Sequence, residues 1–173
     1  ANEKGIRLIG DIPIYVALDS ADVWADPTQF QLDKAYRPTG VAGVPPDYFC
    51  EDGQLWGNPL YNWDEMKKDG FKWWCDRIKH MGTMFDAIRI EHYRGIESYW
   101  TVPASAKTAK EGYWKKGPGM ELIDAIKNAA GDTEIIAEDL GDITPEVEKL
   151  VRISGFPGMR VFQFGFLGDS DSL

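Results

Sequence analysis

The sequence predicts a mixed α/β fold, part of a TIM (β/α)8 barrel with about four parallel strands. Short apolar segments rich in β-branched residues alternate with segments of helical periodicity, which favours parallel strands joined by right-handed crossovers. Several apolar segments end in acidic residues, as strands do at the C-terminal rim of a barrel. Because a closed barrel takes about 250 residues, the 173 residues are expected to form one fragment, with the rest of a parent enzyme as its partner.

The first predicted strand covers residues 6–9, with Asp11 at its exit. Over residues 17–61 the composition shifts to Asp, Pro, Gly and aromatic residues, which predicts a long, functional loop insertion. Residues 62–81 have helical spacing behind a capping Asn62 or Asp64, with Gly70 as a weak point.

The remaining chain, residues 62–173, is expected to supply the βα units. The second strand is predicted over residues 85–90, and residues 107–116 read as a surface loop. A helix over 119–130 ends at Gly131, and a third strand follows over 134–137. Thr144 and Pro145 open a helix that reaches about Ile153, and residues 159–164 are the predicted fourth strand.

Composition limits the partners. The net charge is −9 and there is no block of basic residues, so neither nucleic acid nor an anionic membrane is expected as a partner. Cys50 and Cys75 show no metal-binding or disulfide spacing. We expect no metal, no cofactor and a cytoplasmic location. The first residues do not have the pattern of a leader, and no apolar run reaches about 18 residues, so neither a targeting segment nor a membrane span is expected.

Two acidic strand ends carry the functional prediction. The segment Phe85–Gly95 (FDAIRIEHYRG) presents Glu91, and the segment Glu134–Gly141 (EIIAEDLG) presents Glu138. Two carboxylates in different surroundings can divide the tasks of nucleophile and general acid/base, which is the chemistry of glycoside bond exchange.

Six segments in one order resemble the amylomaltase family of 4-α-glucanotransferases, relatives of the α-amylases. They are Gly10–Val16, Asp19–Trp24, Gly43–Phe49, Gln54–Tyr61, Phe85–Gly95 and Ile135–Gly141. The resemblance implies a retaining transfer of α-1,4-glucan units to the 4-hydroxyl of another glucan or of glucose. The implied partners are α-1,4-glucans and maltooligosaccharides, within starch or glycogen metabolism.

By this resemblance Glu138 is the general acid/base, Glu91 occupies the nucleophile position, and Arg89 pairs with the nucleophile. The family has Asp where this chain has Glu91, and the extra methylene moves the carboxylate by about 1.5 Å. Retaining chemistry requires the two carboxyl groups about 5 to 5.5 Å apart. The family's third acid falls beyond Leu173, so the segment alone is predicted to be inactive.

Further residues are candidates for substrate binding. Asp11 either orients Arg89, binds sugar or shapes the turn before Pro13. The resemblance implies that His92 bonds a sugar hydroxyl. Asp139 is read as a sugar ligand, with a loop residue as the alternative.

The aromatic rings of the insertion are the other candidates. Tyr48, Phe49 and Trp56 are expected as stacking platforms for pyranose rings, and the alternative is that they fix the loop to the barrel. Adjacent positions on a helix cannot both reach one site, so Trp73 and Trp74 are expected in the core.

Two rival functions remain open. In the first, Glu91 marks lost chemistry and the protein binds glucan without catalysis. In the second, Asp11, Glu91 and Glu138 hold Mg²⁺ at successive strand ends, although the cationic Arg89 argues against a metal there.

Overall fold

A computed structural model describes residues 1–166 as a mixed α/β fold with two sheets. The strands are β1 Ile9–Ile12, β2 Gly40–Val44, β3 Gln54–Pro59, β4 Ala87–Ile90, β5 Ser98–Pro103, β6 Tyr113–Lys116 and β7 Glu134–Ala137. The helices are α1 Ala21–Ala25, α2 Trp63–Lys68, α3 Lys72–Gly82, α4 Met120–Ala130 and α5 Pro145–Ser154. Short 3-10 helices include Tyr93–Ile96 and Phe162–Phe166.

The first sheet is parallel, in the order β1-β4-β7. Its register places Ile12 beside Ile90 and Ile90 beside Ala137, so the three strands end at one level. The strands predicted over 85–90 and 134–137 are confirmed in type and place. The first strand covers Ile9–Ile12 and not residues 6–9, so Asp11 lies within the strand and not at its exit. The Leu8 amide bonds the Asp86 carboxylate at 2.7 Å and not a neighbouring strand.

One face of this parallel sheet packs on helices. Ile12, Ile88, Ile90, Ile135 and Ala137 are buried there together with side chains of α3 and α4, namely Trp74, Ile78, Leu122, Ile123 and Ile126. Burial of each large aliphatic side chain contributes about 1.5 to 3 kcal/mol. The opposite face carries Asp11 and Arg89, and Ile9 on that face is 61% exposed. Within residues 1–166 the sheet does not close into a barrel.

The second sheet is antiparallel, in the order β3-β2-β5-β6, and it corrects the prediction that residues 17–61 form one long loop. Strand β6 likewise replaces the end of the surface loop predicted over 107–116. Glycine and proline normally argue against a strand interior, but here glycine permits a close approach. A Cβ on Gly43 would lie 2.4 Å from the Gln54 carbonyl oxygen of the paired strand.

The helix predicted over residues 62–81 is two helices. Gly70 and Phe71 adopt left-handed φ angles of 71° and 60° between α2 and α3. The predicted cap is present, because the Asn62 side chain accepts a hydrogen bond from the Glu65 amide. The two later helices match their predictions, including Gly131 after α4 and Pro145 in the first turn of α5.

The strand predicted over residues 159–164 is wrong. Met159 gives its amide to the Asp139 carboxylate at 2.7 Å, and a 3-10 helix follows over Phe162–Phe166. This segment is therefore held by a side chain and not by a neighbouring strand. Across the described residues no helix is long and apolar enough to cross a bilayer.

Candidate active site

The two predicted catalytic acids leave adjacent strands at one edge of the parallel sheet. Glu91 follows β4 directly, and Glu138 follows β7 directly. The strand pairing continues one step beyond the sheet, because the Glu138 amide donates to the Ile90 carbonyl at 3.1 Å. Since neighbouring strands lie about 4.8 Å apart, the two acids face the same region of space.

Main-chain amides hold the Glu138 carboxylate. Its Oε2 accepts from the His92 amide at 2.6 Å, and its Oε1 accepts from the Leu140 amide at 2.9 Å. Glu138 is only 9% exposed. The two main-chain donors give both carboxylate oxygens fixed positions beside the end of β4.

Glu91 has a different environment. It is exposed and lines a cavity of about 140 Å³ together with Trp56, Asn58 and His92. Among the described residues its carboxylate makes no hydrogen bond or ion pair. One acid is therefore immobilised and nearly buried, while the other is open to a ligand, which is the kind of asymmetry that divided catalytic roles require.

Arg89 pairs with Asp11, which corrects the expected pairing with Glu91. Its Nη1 lies 2.7 and 2.9 Å from the two Asp11 carboxylate oxygens. Asp11 is the partner of Arg89 in the β1–β4 register, whereas Glu91 lies past the last paired residue. Of the functions considered for Asp11, this geometry matches the one in which it holds Arg89.

His92 lies between the two acids along the site. Its φ is 50°, a left-handed conformation, and its ring meets Trp56 edge to face at 4.9 Å. Burial, together with the nearby Arg94 cation, lowers the pKa of His92 to about 4. The neutral imidazole at pH 7 can donate one hydrogen bond and accept another.

The three aromatic candidates separate into two groups. Trp56 on β3 lines both cavities of the site. Tyr48 and Phe49 are 97% and 93% exposed on the loop after β2 and contact each other at 5.6 Å. Among the described residues neither ring is buried against the parallel sheet, and the choice between the two roles stays a prediction for Tyr48 and Phe49. Trp74 is fully buried and Trp73 packs against the same core, as expected.

Asp139 has structural contacts within the chain, and the sugar contact expected from the sequence stays a prediction. Its Oδ1 accepts from the Met159 amide, and its side chain is 12% exposed. Gly158 packs so closely that a Cβ there would lie 2.3 Å from the carboxylate. Asp139 thus fixes the segment after α5.

A second cavity of about 480 Å³ adjoins the site and shares Trp56 and His92 with the first. Arg94, Trp114 and Asp142 also line it. Sequence reasoning missed these three residues. Only Arg94 carried a signal, since it lies inside the segment that also supplies Glu91 and His92.

Two of the three acids proposed as a magnesium site have other partners. Asp11 is engaged by Arg89, and Glu138 is engaged by two amides. Within residues 1–166 no group of three or more His, Cys, Asp or Glu side chains is placed to hold a metal ion.

Comparisons with known proteins agree with the resemblance. A family model described as 4-alpha-glucanotransferase, glycoside hydrolase family 77, matches residues 1–172. The chain is 53% identical to the 4-alpha-glucanotransferase of Clostridium butyricum, over 99% of this chain and 36% of that protein. It is 55% identical to the 4-alpha-glucanotransferase of Thermus thermophilus, over 96% of this chain and 33% of that protein.

Solved structures give the same result. An amylomaltase from Streptococcus agalactiae in complex with acarbose matches with a TM-score of 0.92 at 48% identity, covering 99% of this chain and 34% of that one. An amylomaltase from Corynebacterium glutamicum shares the fold, with a TM-score of 0.76 at 21% identity over 87% of this chain and 21% of that one.

The chain spans about a third of the length of the curated relatives it matches. The family model covers all but the last residue of this chain. The resemblance drawn from the six segments is confirmed, and the chain belongs to the 4-alpha-glucanotransferase family.

Proposed function

We propose that the protein containing this chain is a retaining 4-α-glucanotransferase that transfers α-1,4-glucan units to the 4-hydroxyl of a glucan or of glucose. The observation that carries the proposal is the position of Glu91 and Glu138 at the ends of adjacent parallel strands, where Glu91 lines a cavity together with Trp56. Membership of the 4-alpha-glucanotransferase family and the acarbose complex of a relative support α-glucans as the substrate class.

The first step uses both acids. Glu138 gives its proton to the glycosidic oxygen of the leaving glucan as the bond from that oxygen to C1 breaks. A carboxylate oxygen of Glu91 forms a new bond to C1, which leaves a covalent glucosyl ester and a shortened glucan. The fixed position of Glu138 beside the end of β4 and the open position of Glu91 support these two tasks.

The second step releases the ester. Glu138, now ionised, takes the proton of the acceptor 4-hydroxyl, and the acceptor oxygen attacks C1 and displaces the Glu91 carboxylate. Transfer exceeds hydrolysis only where water is kept away. Trp56, Tyr48 and Phe49 would serve this purpose by stacking on sugar rings, and neutral His92 would bond a sugar hydroxyl.

The same proposal extends to the fold and the compartment. The three parallel strands, their helix-covered face and their open opposite face fit a portion of a (β/α)8 barrel whose other strands come from the rest of the protein. Residues 1–173 are then one fragment of that catalytic domain. The free, half-buried Cys50 and Cys75 fit a reducing cytoplasm.

A second candidate function is glucan binding without catalysis. The observation that favours it is Glu91 itself, since a misplacement of about 1 Å at a reacting centre can cost on the order of a hundredfold in rate.

The test compares the full-length natural protein with its Glu91→Asp and Glu138→Gln variants on maltotriose. The proposal expects the natural protein to give glucose and longer maltooligosaccharides, and Glu138→Gln to be slower by about 10² to 10⁴. If the natural protein binds maltotriose tightly without turnover, and Glu91→Asp restores turnover, the binding function is established instead. The isolated 173-residue segment is expected to give no products.

A further inference from the structure

Arg94 is a buried cation three residues after Glu91. It lies on the 3-10 helix Tyr93–Ile96 and is 4% exposed. A buried guanidinium is costly unless its donors find partners. Its partners therefore indicate what the residue is placed to hold.

The guanidinium contacts three separate parts of the fold. Nη1 donates to the main-chain carbonyl of Asp142 and lies 3.2 Å from the carboxylate of the same residue. Nη2 donates to Ser98 Oγ at 3.2 Å on β5. The guanidinium carbon lies 3.9 Å from the ring centre of Trp114 on β6, within the range of a cation–π interaction.

These contacts join the segments that position Glu138. One carboxylate oxygen of Glu138 depends on the His92 amide, two residues before Arg94, and the other depends on the Leu140 amide, two residues before Asp142. Movement of residues 140–142 away from residues 91–94 would separate the two donors. Arg94 spans this gap, and its contact with Trp114 fixes both segments to the second sheet.

We propose that Arg94 is a positioning residue for the general acid/base, holding the Leu140–Asp142 segment so that Glu138 keeps its placement relative to Glu91. The inference rests on the proposed function for the role of Glu138. Arg94 forms no part of the proton transfer itself. Its effect is geometric, and an error of about 1 Å in such placement costs on the order of a hundredfold in rate.

The experiment uses Arg94→Lys and Arg94→Gln in the full-length natural protein. The matched control is Arg37→Lys, because Arg37 pairs with Asp33 on an exposed turn and its side chain is 77% exposed. Amide hydrogen exchange rates are measured at Leu140 and His92 and compared with those at Ile88 and Ile135 in the parallel sheet. Steady-state kinetics on maltotriose gives kcat and KM.

Arg94→Gln is expected to lower kcat by about 30- to 100-fold with KM within about threefold. Exchange at the Leu140 amide should accelerate about tenfold or more, with the sheet amides unchanged. Arg94→Lys should have a kcat between those of the natural protein and Arg94→Gln. One ammonium can reach Asp142 or Ser98 but cannot reproduce the planar guanidinium with its several donors.

The inference is overturned if both Arg94 variants match the Arg37→Lys control, or if exchange accelerates equally throughout the sheet, which would mean a role in folding alone. Should the Arg94 variants fail to fold, Ser98→Ala removes one contact and keeps the charge. That variant should lower kcat several-fold at constant KM, and an unchanged kcat would count against the inference. A natural protein without transfer activity would refute the proposed function, while the exchange measurement would still decide whether Arg94 holds the Leu140 segment.

Discussion

At the scale of single residues, the site combines one carboxylate held by the main chain with one that faces a cavity. Glu138 receives two amide hydrogen bonds, and Glu91 receives none among the described residues. Between them lies His92, whose ring is pressed against Trp56 and whose backbone carries the amide that holds Glu138. His92 thus connects Trp56, a proposed sugar contact, to Glu138, the proposed acid/base.

His92 is expected to stay neutral down to low pH, because burial and the Arg94 cation lower its pKa to about 4. The unfolded chain binds the proton more readily, near pH 6.5, so stability contributed by the neutral ring is present above that pH. This stability, roughly 3 kcal/mol at most, is lost as the pH falls from 6.5 through 4.

An NMR titration of the histidine ring protons checks this, with His92→Gln used to assign the His92 signal. The stability of His92→Gln should fall less than that of the natural sequence between pH 6.5 and 4. A His92 ring that titrates near 6.5 would show that the imidazole is exposed to water.

The sequence predicted that the two acids lie at strand ends but not which partners the charged side chains nearby have. Glu91 and Glu138 could be located because both lie directly after a strand in a recognisable segment. The pairs Arg89–Asp11 and Asp139–Met159 depend on contacts between residues 78 and 20 positions apart in the chain. Such contacts are set by strand register and by the path of the segment after α5, which local pattern does not contain.

At the scale of elements, the antiparallel sheet presents Trp56 to the end of the parallel sheet. Strand β2 runs between β3 and β5, and its small residues allow the backbones to approach closely. The sequence predicts a loop in this region because its glycines and prolines are typical of turns. The sequence predicts one helix over residues 62–81 with Gly70 as a weak point, but the left-handed conformation of the buried Phe71 has no signal in the local pattern.

Gly43→Ala is expected to destabilise the antiparallel sheet, because the new Cβ would lie 2.4 Å from the Gln54 carbonyl oxygen. Crowding of this kind typically costs about 1 to 3 kcal/mol. Gly40→Ala on the same strand is the matched control, since its nearest neighbour is a Thr101 methyl group at 3.1 Å. Urea unfolding should rank Gly43→Ala below Gly40→Ala, and equal midpoints would contradict the close approach of β2 and β3.

At the scale of the whole molecule, the chain is about a third of its relatives, and the parallel sheet has an uncovered face. Ile6, Ile9, Phe162 and Phe166 are each more than half exposed. Open sheet edges and apolar surface favour association between chains. In the full protein we expect the remaining strands to cover this surface.

The isolated segment is therefore expected to self-associate, and Ile9→Lys should weaken that association because it places a charge on the open face. Light scattering over a range of concentrations measures the effect. The control is Ile153→Lys, at a 47% exposed position on α5 away from that face. A segment that stays monomeric at all concentrations would show that the open face needs no cover.

The central claim is that Glu91 attacks the sugar while Glu138 handles the proton, and trapping the covalent intermediate tests it most directly. Full-length Glu138→Gln protein is incubated with α-maltosyl fluoride, whose leaving group needs no proton, so the ester should form and persist. Peptide mass spectrometry is expected to find a maltosyl adduct on Glu91. An adduct on a different residue, or none despite bound sugar, would contradict the account.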